Sequence, residues 1–502
     1  MKLSTRLLSG SLLQVINLIL DIGLGFFMMP FLINGLGETM YGLWLLIGSI
    51  VGFFGILTIG LSTAVQRYLS IENAAEKQND FNTTLNSSLA VFSIAAVAAI
   101  FLALAISLMP QYFVDDTELI TSFKYLILIM GANIAISFIA SPFYAILTSQ
   151  YQFTLTSFID LLSIVVKASL TILFVKAGYG VIFVGFATLI SSLLSKLVLV
   201  ISTVVLVKKI QFGFRYVKKS KLFTLLLFSS KALLAWVGDI LRFSIDNIVI
   251  STFAGLGLVT VYNIPVRLYN YSLQLITTSF GVLQPFFSQR FSEGKFEEVR
   301  AKFEFASSIS FALAGLLASG LMVFGDDFIS LWVGHYDETQ VLVYIISFML
   351  LLDPSQSPSI LIMYSLNKHA YFAFQNIGEG VLNLIISLIA VQHLGIIGVA
   401  IGTLAPMVPT KLFIQPLYVC KIIKFQKRSY YKMMLINYSF FALSVCLGLA
   451  FKMSINSWQD LCLSVVVFTS VYLVCLWLIV LNKNTKKFFA EKLSYLRLKY
   501  KF

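Results

Sequence analysis

Between residues 260 and 287 an apolar stretch carries a polar stripe. Asn263, Arg267, Asn270, Gln274, Thr277, Thr278 and Gly281 recur at spacings of three and four. At ~100° per residue they share an arc of roughly 100° on one long helix. The rest of the turn is Leu, Ile, Val, Phe and Tyr. A helix that apolar belongs in lipid, whereas a stripe with an arginine in it must line something wet or ionic inside the membrane. A guanidinium fork suits phosphate oxygens, which it grips bidentately. The amides and hydroxyls beside it suit sugar hydroxyls. A pyrophosphate head group bearing sugar fits both, so the expected chemistry is binding and passage of a polar group through a membrane.

Other apolar stretches carry shorter stripes. Gln14, Asn17 and Asp21 share one face, as do Asp160, Ser163, Lys167 and Thr171. Lys231, Asp239, Arg242 and Asp246 share another, with Arg242 and Asp246 spaced to bond across one turn. Asp353 directly precedes Pro354, Gln375, Glu379 and Asn383 line up, and Lys196 and Lys411 stand nearly alone. An unpaired ion at mid-membrane costs at least ~2.5–3.5 kcal/mol. Pairing is therefore expected for some, such as Asp160 with Lys167 and Arg242 with Asp246. Lys167, Lys196 and Lys411 are expected to be structural or to snorkel. Lys231, Arg242 and Arg267 are expected to meet substrate, together with Asn263, Asn270 and Gln274. Asp21, Asp239, Asp246, Asp160, Asp353 and Glu379 are either salt-bridge residues or cavity acids. Tyr262, Tyr269, Tyr271 and Trp236 are placed for packing, with stacking on sugar faces the alternative.

Such stripes need membrane helices to carry them. Hydrophobic residues make up 58% of the 502, charged residues 12%, and the mean hydropathy is +0.90. About 14 apolar spans can be read: 8–34, 41–66, 86–109, 120–147, 154–176, 181–207, 223–252, 260–288, 304–325, 340–365, 372–392, 396–420, 433–452 and 460–481. The fold class is an all-α polytopic membrane protein. The net charge of +13 does not point to nucleic acid. Most Lys and Arg fall in alternate connections, the 208–222 linker, the 421–432 segment and the tail, which places both termini in the cytoplasm. Connections on the other side are acidic or neutral; the longest, about 326–339, is too short for a catalytic domain. Cys420, Cys446, Cys462 and Cys475 have no metal-site or disulfide spacing. Phosphate-loop, zinc-protease and serine-hydrolase motifs are absent, so neither a cofactor nor enzymatic chemistry is expected.

The chain reads as duplicated. Gly35-Leu36-Gly37 with Tyr41 matches Gly255-Leu256-Gly257 with Tyr262, and Gln66-Arg67-Tyr68 matches Gln289-Arg290-Phe291. The offset of about six helices implies parallel repeats: residues 1–207 and 223–420, joined by the basic linker 208–222. Two further helices, 421–481, carry almost no buried polarity, and a basic amphipathic tail, 482–502, suits the anionic inner leaflet.

Gly35-Leu36, Tyr41-Gly42-Leu43-Trp44, the run Gly60-Leu61-Ser62-Thr63-Ala64 before Arg67, and Leu283-Gln284-Pro285 through Gln289-Arg290 resemble bacterial Wzx-type oligosaccharide flippases. These belong to the multidrug/oligosaccharidyl-lipid/polysaccharide (MOP) exporter superfamily, which also holds the MATE drug extruders and lipid II flippases. The resemblance covers essentially the whole chain. It implies two pseudo-symmetric six-helix lobes plus two appended helices, a central cationic cavity and alternating access. It also implies an undecaprenyl-pyrophosphate-linked oligosaccharide as substrate in the bacterial cytoplasmic membrane, with membrane lipids around it and a polysaccharide polymerase and chain-length machinery as partners. By position, Arg267 and Arg242 match head-group binding, and Asp21 and Asp246 match ion coupling. A multidrug/cation antiporter on the same fold is the nearest rival, and a membrane polymerase a more distant one.

Overall fold

The computed structural model describes residues 3–114, 116–366, 368–481 and 486, without the side chains of 3–12, 230–236, 239, 241, 243 and 369. Among the described residues every regular element is helical. Eleven helical stretches are long and apolar enough to cross a membrane, and one of them, Ala370–Ile422, turns back at Gly395 and so accounts for two expected spans. Gly395 sits at φ 54°, ψ −137° in the middle of α15 (His369–Pro409), a backbone geometry that a side chain would strain. The two remaining expected spans, 223–252 and 260–288, are the charge-bearing ones, and both are interrupted.

The chain divides into two compact units, residues 1–260 and 261–502. The first holds α1 (Leu3–Leu36), α2 (Glu38–Phe54), α3 (Leu61–Ala74), α4 (Gln78–Ser107), α5 (Thr117–Ser149), α6 (Phe153–Lys176) and α7 (Val181–Leu206). After the linker come α8 (Lys219–Phe243) and α9 (Ile245–Phe253), which meet at a turn on Ser244. The core is built of Leu43, Leu46, Ile47, Phe92, Phe123, Leu126 and Ile127. In lipid, helices gain little from hiding apolar area and pack by close approach of small residues. Ala99 and Ala103 of α4 are fully buried against α5, where a Cβ on Gly131 would lie 2.4 Å from that of Ala103.

The basic linker is not slack. Asn86 Nδ2 donates to the Gln211 carbonyl (2.8 Å), and its Oδ1 accepts from the Gly213 amide (3.0 Å). Asn82 Oδ1 accepts from the Gln211 amide and Ser87 Oγ from the Lys218 amide. Lys221 bonds Glu72 at 2.6 Å, and Thr84 donates to the same carboxylate. These bonds tie α8 to α3 and α4. The compact division accordingly falls at 260, inside α10, and not in the linker, where the expected repeat boundary lies.

The second unit holds most of α10 (Leu256–Gly281), then α11 (Gln284–Ser292), α12 (Phe296–Trp332), α13 (Thr339–Leu352), α14 (Ser357–Ser365), α15, α16 (Gln415–Ile422), α17 (Lys427–Ala450) and α18 (Trp458–Cys475). The single helix expected over 260–287 stops at Gly281. Pro285 has no N–H to bond the Gly281 carbonyl and would clash with it, so the chain restarts with Pro285 in the first turn of α11. The expected loop 326–339 shrinks to six residues, 333–338, because α12 runs on to Trp332. Asp327 at that end pairs with Lys452. The Gln289-Arg290 signature closes the α11–α12 turn: both side chains bond Glu293 at 2.8 Å. Together with Lys295 they hold the Glu293 carboxyl down at about 2. The two appended helices carry more buried polarity than expected. Tyr472 of α18 donates to the Ala312 carbonyl (3.0 Å), and α17 buries Tyr430 and Asn437. The expected tail lies outside the described residues, Lys486 excepted.

The pinned linker generates a prediction. Residues 207–219 contain Lys208, Lys209, Arg215, Lys218 and Lys219, yet trypsin should cut them slowly in the folded protein. Asn86→Ala and Glu72→Ala should each speed that cleavage several-fold, as read by gel or mass spectrometry on purified protein.

Candidate functional site

Within the second unit three charged side chains meet out of contact with solvent. Asp353 ends α13 because Pro354 and Pro358 break the helix there into a short turn, Pro354–Gln356, and a restart. Glu379 lies on the first half of α15. Lys411 lies in a π-turn, Thr410–Ile414, just past Pro406 and Pro409. The wider turn shifts the register by one residue, a device common at functional sites. Lys411 Nζ stands 3.1 Å from Asp353 Oδ1 and 3.4 Å from Glu379 Oε1. Lys411 is 0% exposed, Glu379 1% and Asp353 5%.

Neutral polar groups surround the cluster. Tyr269 donates to Asp353 Oδ2 at 2.9 Å. Gln375 Nε2 reaches Glu379 Oε1 (3.1 Å) and Gln415 Oε1 (3.2 Å), and Lys411 donates to Gln415 Oε1 (3.4 Å). Gln415 also donates to the Gln356 carbonyl, while Tyr430 donates to Gln356 Oε1 at 2.9 Å. In low dielectric such a network is strong when complete and costly when broken. Two carboxylates face one ammonium, so the three sum to one negative charge when both acids are ionised. Lys411 thus does not snorkel; its head is drawn inward by two acids. Tyr269 is a hydrogen-bond donor packed in the interior and not a stacking surface.

The α10 stripe takes the opposite form. Arg267, Asn270, Gln274, Thr277 and Thr278 are exposed and Asn263 is half-buried, while Tyr262, Ile264, Tyr269, Ile276 and Phe280 bury the other face. Arg267 Nε donates to Tyr271 Oη (3.0 Å), with the guanidinium carbon 5.2 Å from that ring's centroid. Tyr271 steadies Arg267 on this exposed face.

In the first unit the expected residues are dispersed. Asp21 is exposed on α1, and its neighbour Asn17 donates to the Ser157 carbonyl at 2.7 Å. Asp160 on α6 lies 3.5 Å from Tyr144 Oη and interacts electrostatically with Lys196 of α7. Arg242 and Asp246, on either side of the Ser244 turn, are 3% and 4% exposed, so both sit in the packed interior. Asn247 beside them donates to Ser49 Oγ at 2.8 Å. The side chains of Lys231, Trp236 and Asp239 lie outside the described residues. The structure brings Asp353 and Glu379 together through Lys411. Gln356, Gln415 and Tyr430 belong to no polar stripe of their own helices, so their meeting is not visible along the sequence. The signal that could have found them is a glutamine inside a proline-rich span.

The fold matches that of solved transporters of the MOP superfamily, at sequence identities that show the fold alone. An inward-facing multidrug resistance MATE family transporter of that superfamily superposes with a TM-score of 0.70 at 17% identity, covering 84% of this chain and 98% of its own. The lipid II flippase MurJ in an inward closed conformation gives 0.65 at 17% identity, covering 92% and 98%. The sequence family described as "Polysaccharide biosynthesis protein" matches residues 7–291, and the chain belongs to it. The uncharacterized membrane protein EpsK of Bacillus subtilis (strain 168) is 22% identical over 498 residues, 94% of this chain and 95% of that protein.

The cluster predicts a particular pattern of stabilities. Lys411→Met strands two buried carboxylates and should cost about 3–5 kcal/mol. Combining it with Asp353→Asn and Glu379→Gln should restore most of the loss. Thermal unfolding of detergent-solubilised protein checks both.

Proposed function

We propose that this chain is a flippase that carries undecaprenyl-pyrophosphate-linked oligosaccharide repeat units across the bacterial cytoplasmic membrane by alternating access. Membership of a polysaccharide biosynthesis family supports the pathway. The observation that carries the reading is the exposed stripe of α10, where Arg267 and a row of amides and hydroxyls interrupt a membrane helix. A guanidinium suits the pyrophosphate, and Asn263, Asn270 and Gln274 suit the sugars. The lipid tail stays in the bilayer while the head crosses. Both termini face the cytoplasm, where the basic segments meet anionic lipid. Matching glycine turns at Gly37 (φ 81°) and Gly255 (φ 95°), each followed by a helix broken before a Gln-Arg pair, support a duplicated design.

The Asp353–Lys411–Glu379 cluster is the coupling site in this reading. Its surplus of one carboxylate makes it responsive to a single positive charge. Moving one charge through the field is worth about 2.3 kcal/mol per 100 mV. Asp21 and Asp160 are secondary acids in the first unit, with Arg242 and Asp246 a buried pair that shapes the α8–α9 turn. Surface polysaccharide polymerase and chain-length machinery take the product on the outer face. A drug antiporter, which the MATE likeness of the fold would also permit, favours cationic cargo and is ill served by an exposed arginine.

In a strain lacking the native gene, Arg267→Ala at normal protein level should lower surface polysaccharide at least tenfold, and Arg267→Lys should restore part of it. Unchanged polysaccharide in Arg267→Ala removes this residue from the transport path.

A further inference from the structure

The second membrane stretch, 38–74, is broken at its middle. α2 ends at Phe54, a 3-10 turn covers Gly55–Thr58, Ile59 is extended, and Gly60 takes φ 70° before α3 starts at Leu61. Irregular backbone at membrane depth survives only where protein buries it or where it borders a watery cavity. Here a cavity of about 220 Å³ lies beside the restart, bordered by Ser62 and Thr63 at the start of α3. By liquid volume that is room for about seven waters, enough for one sugar ring and too small for an oligosaccharide.

The chemistry of the lining is specific. Ser137, Ser141, Tyr144 and Thr148 of α5 recur at four-, three- and four-residue steps, so they form one face of a helix that is otherwise apolar. Ser137, Ser141 and Thr148 each give their proton to the carbonyl one turn back, at 3.0, 2.9 and 3.0 Å. Their oxygens remain available as acceptors. Gln66 of α3 and Lys196 of α7 supply donors across the cavity. Asp160, whose carboxylate lies 3.5 Å from Tyr144 Oη, is an acidic neighbour of Lys196. A ladder of acceptors facing two donors matches a ligand whose hydroxyls both donate and accept.

We propose that this cavity is a subsite for a single neutral sugar ring of the translocated head group. The assignment rests on the flippase reading, and it gives the Gly60–Ala64 run a role: the break turns the first residues of α3 toward the ring. Arg267 and the α10 stripe take no part in it.

The test is saturation-transfer NMR on the full-length protein in lipid nanodiscs, with a panel of methyl glycosides (hexoside, N-acetylhexosaminide, 6-deoxyhexoside) and an acyclic polyol as control. At least one glycoside should give a transfer signal that the acyclic polyol does not. Ser141→Leu, which fills the cavity, should reduce it at least fivefold. Thr63→Leu, at an exposed position that packing tolerates, should do the same, while Leu193→Ala on the outer side of α7 should leave it unchanged. No glycoside signal from the wild type, or a wild-type signal retained by the two filled variants, overturns the subsite. Polysaccharide export in cells separates the two readings. Normal export by Thr63→Leu with its glycoside signal lost removes the cavity from the path, whereas export unaffected by deleting the gene sinks the flippase reading alone.

Discussion

A charge taken out of water must bring a partner or keep a wet face, and the bilayer enforces this on every span of the chain. The two clearest features of the protein are the two ways of obeying it. Lys411 keeps company with Asp353 and Glu379 inside the second unit, every head group bonded to another. Arg267 instead stays on an exposed helix face, held by Tyr271. The first arrangement buries its charges against one another, and the second leaves its charge on an exposed face.

The same constraint explains where the helices break. Prolines end α10 before Pro285, split the stretch around Asp353, and precede the π-turn that carries Lys411. A broken helix frees backbone and redirects side chains, at a cost that lipid would not permit unless the break faced protein or water. Each break here sits next to polar side chains: Ser62 and Thr63 after Gly60, Gln356 after Pro354, Lys411 after Pro409. Continuous helices such as α4 and α7 do the opposite job, packing through alanine, glycine and serine and making a rigid frame.

The basic linker shows how a segment that looks like a tether can become structure. Six of its fifteen residues, 208–222, are lysine or arginine, which would favour a solvated segment. Asn82, Asn86 and Ser87 of α4 bind its backbone, and Lys221 is drawn to Glu72. Helix α8 is thereby fastened to the helices before it, and a division of the chain by packing differs from a division by sequence repeat.

Read alone, the sequence was sufficient for the class of protein, the rough course of the helices and the polar face of α10. Those follow from apolar run length and the 3.6-residue period, which are local and additive along the chain. Asp353 and Glu379 were also legible as costly buried acids, because an ion in an apolar run is conspicuous wherever it falls. Their shared counter-ion was not. Lys411 is some sixty residues from one and thirty from the other, and an isolated lysine reads as one that snorkels; only packing of α13, α15 and the π-turn puts its ammonium between them. Gln356, Gln415 and Tyr430 stayed hidden for the same reason, as did the cavity behind Gly60. A hydrogen bond is decided by ångströms between distant segments, and that information exists nowhere along the chain until the helices have packed.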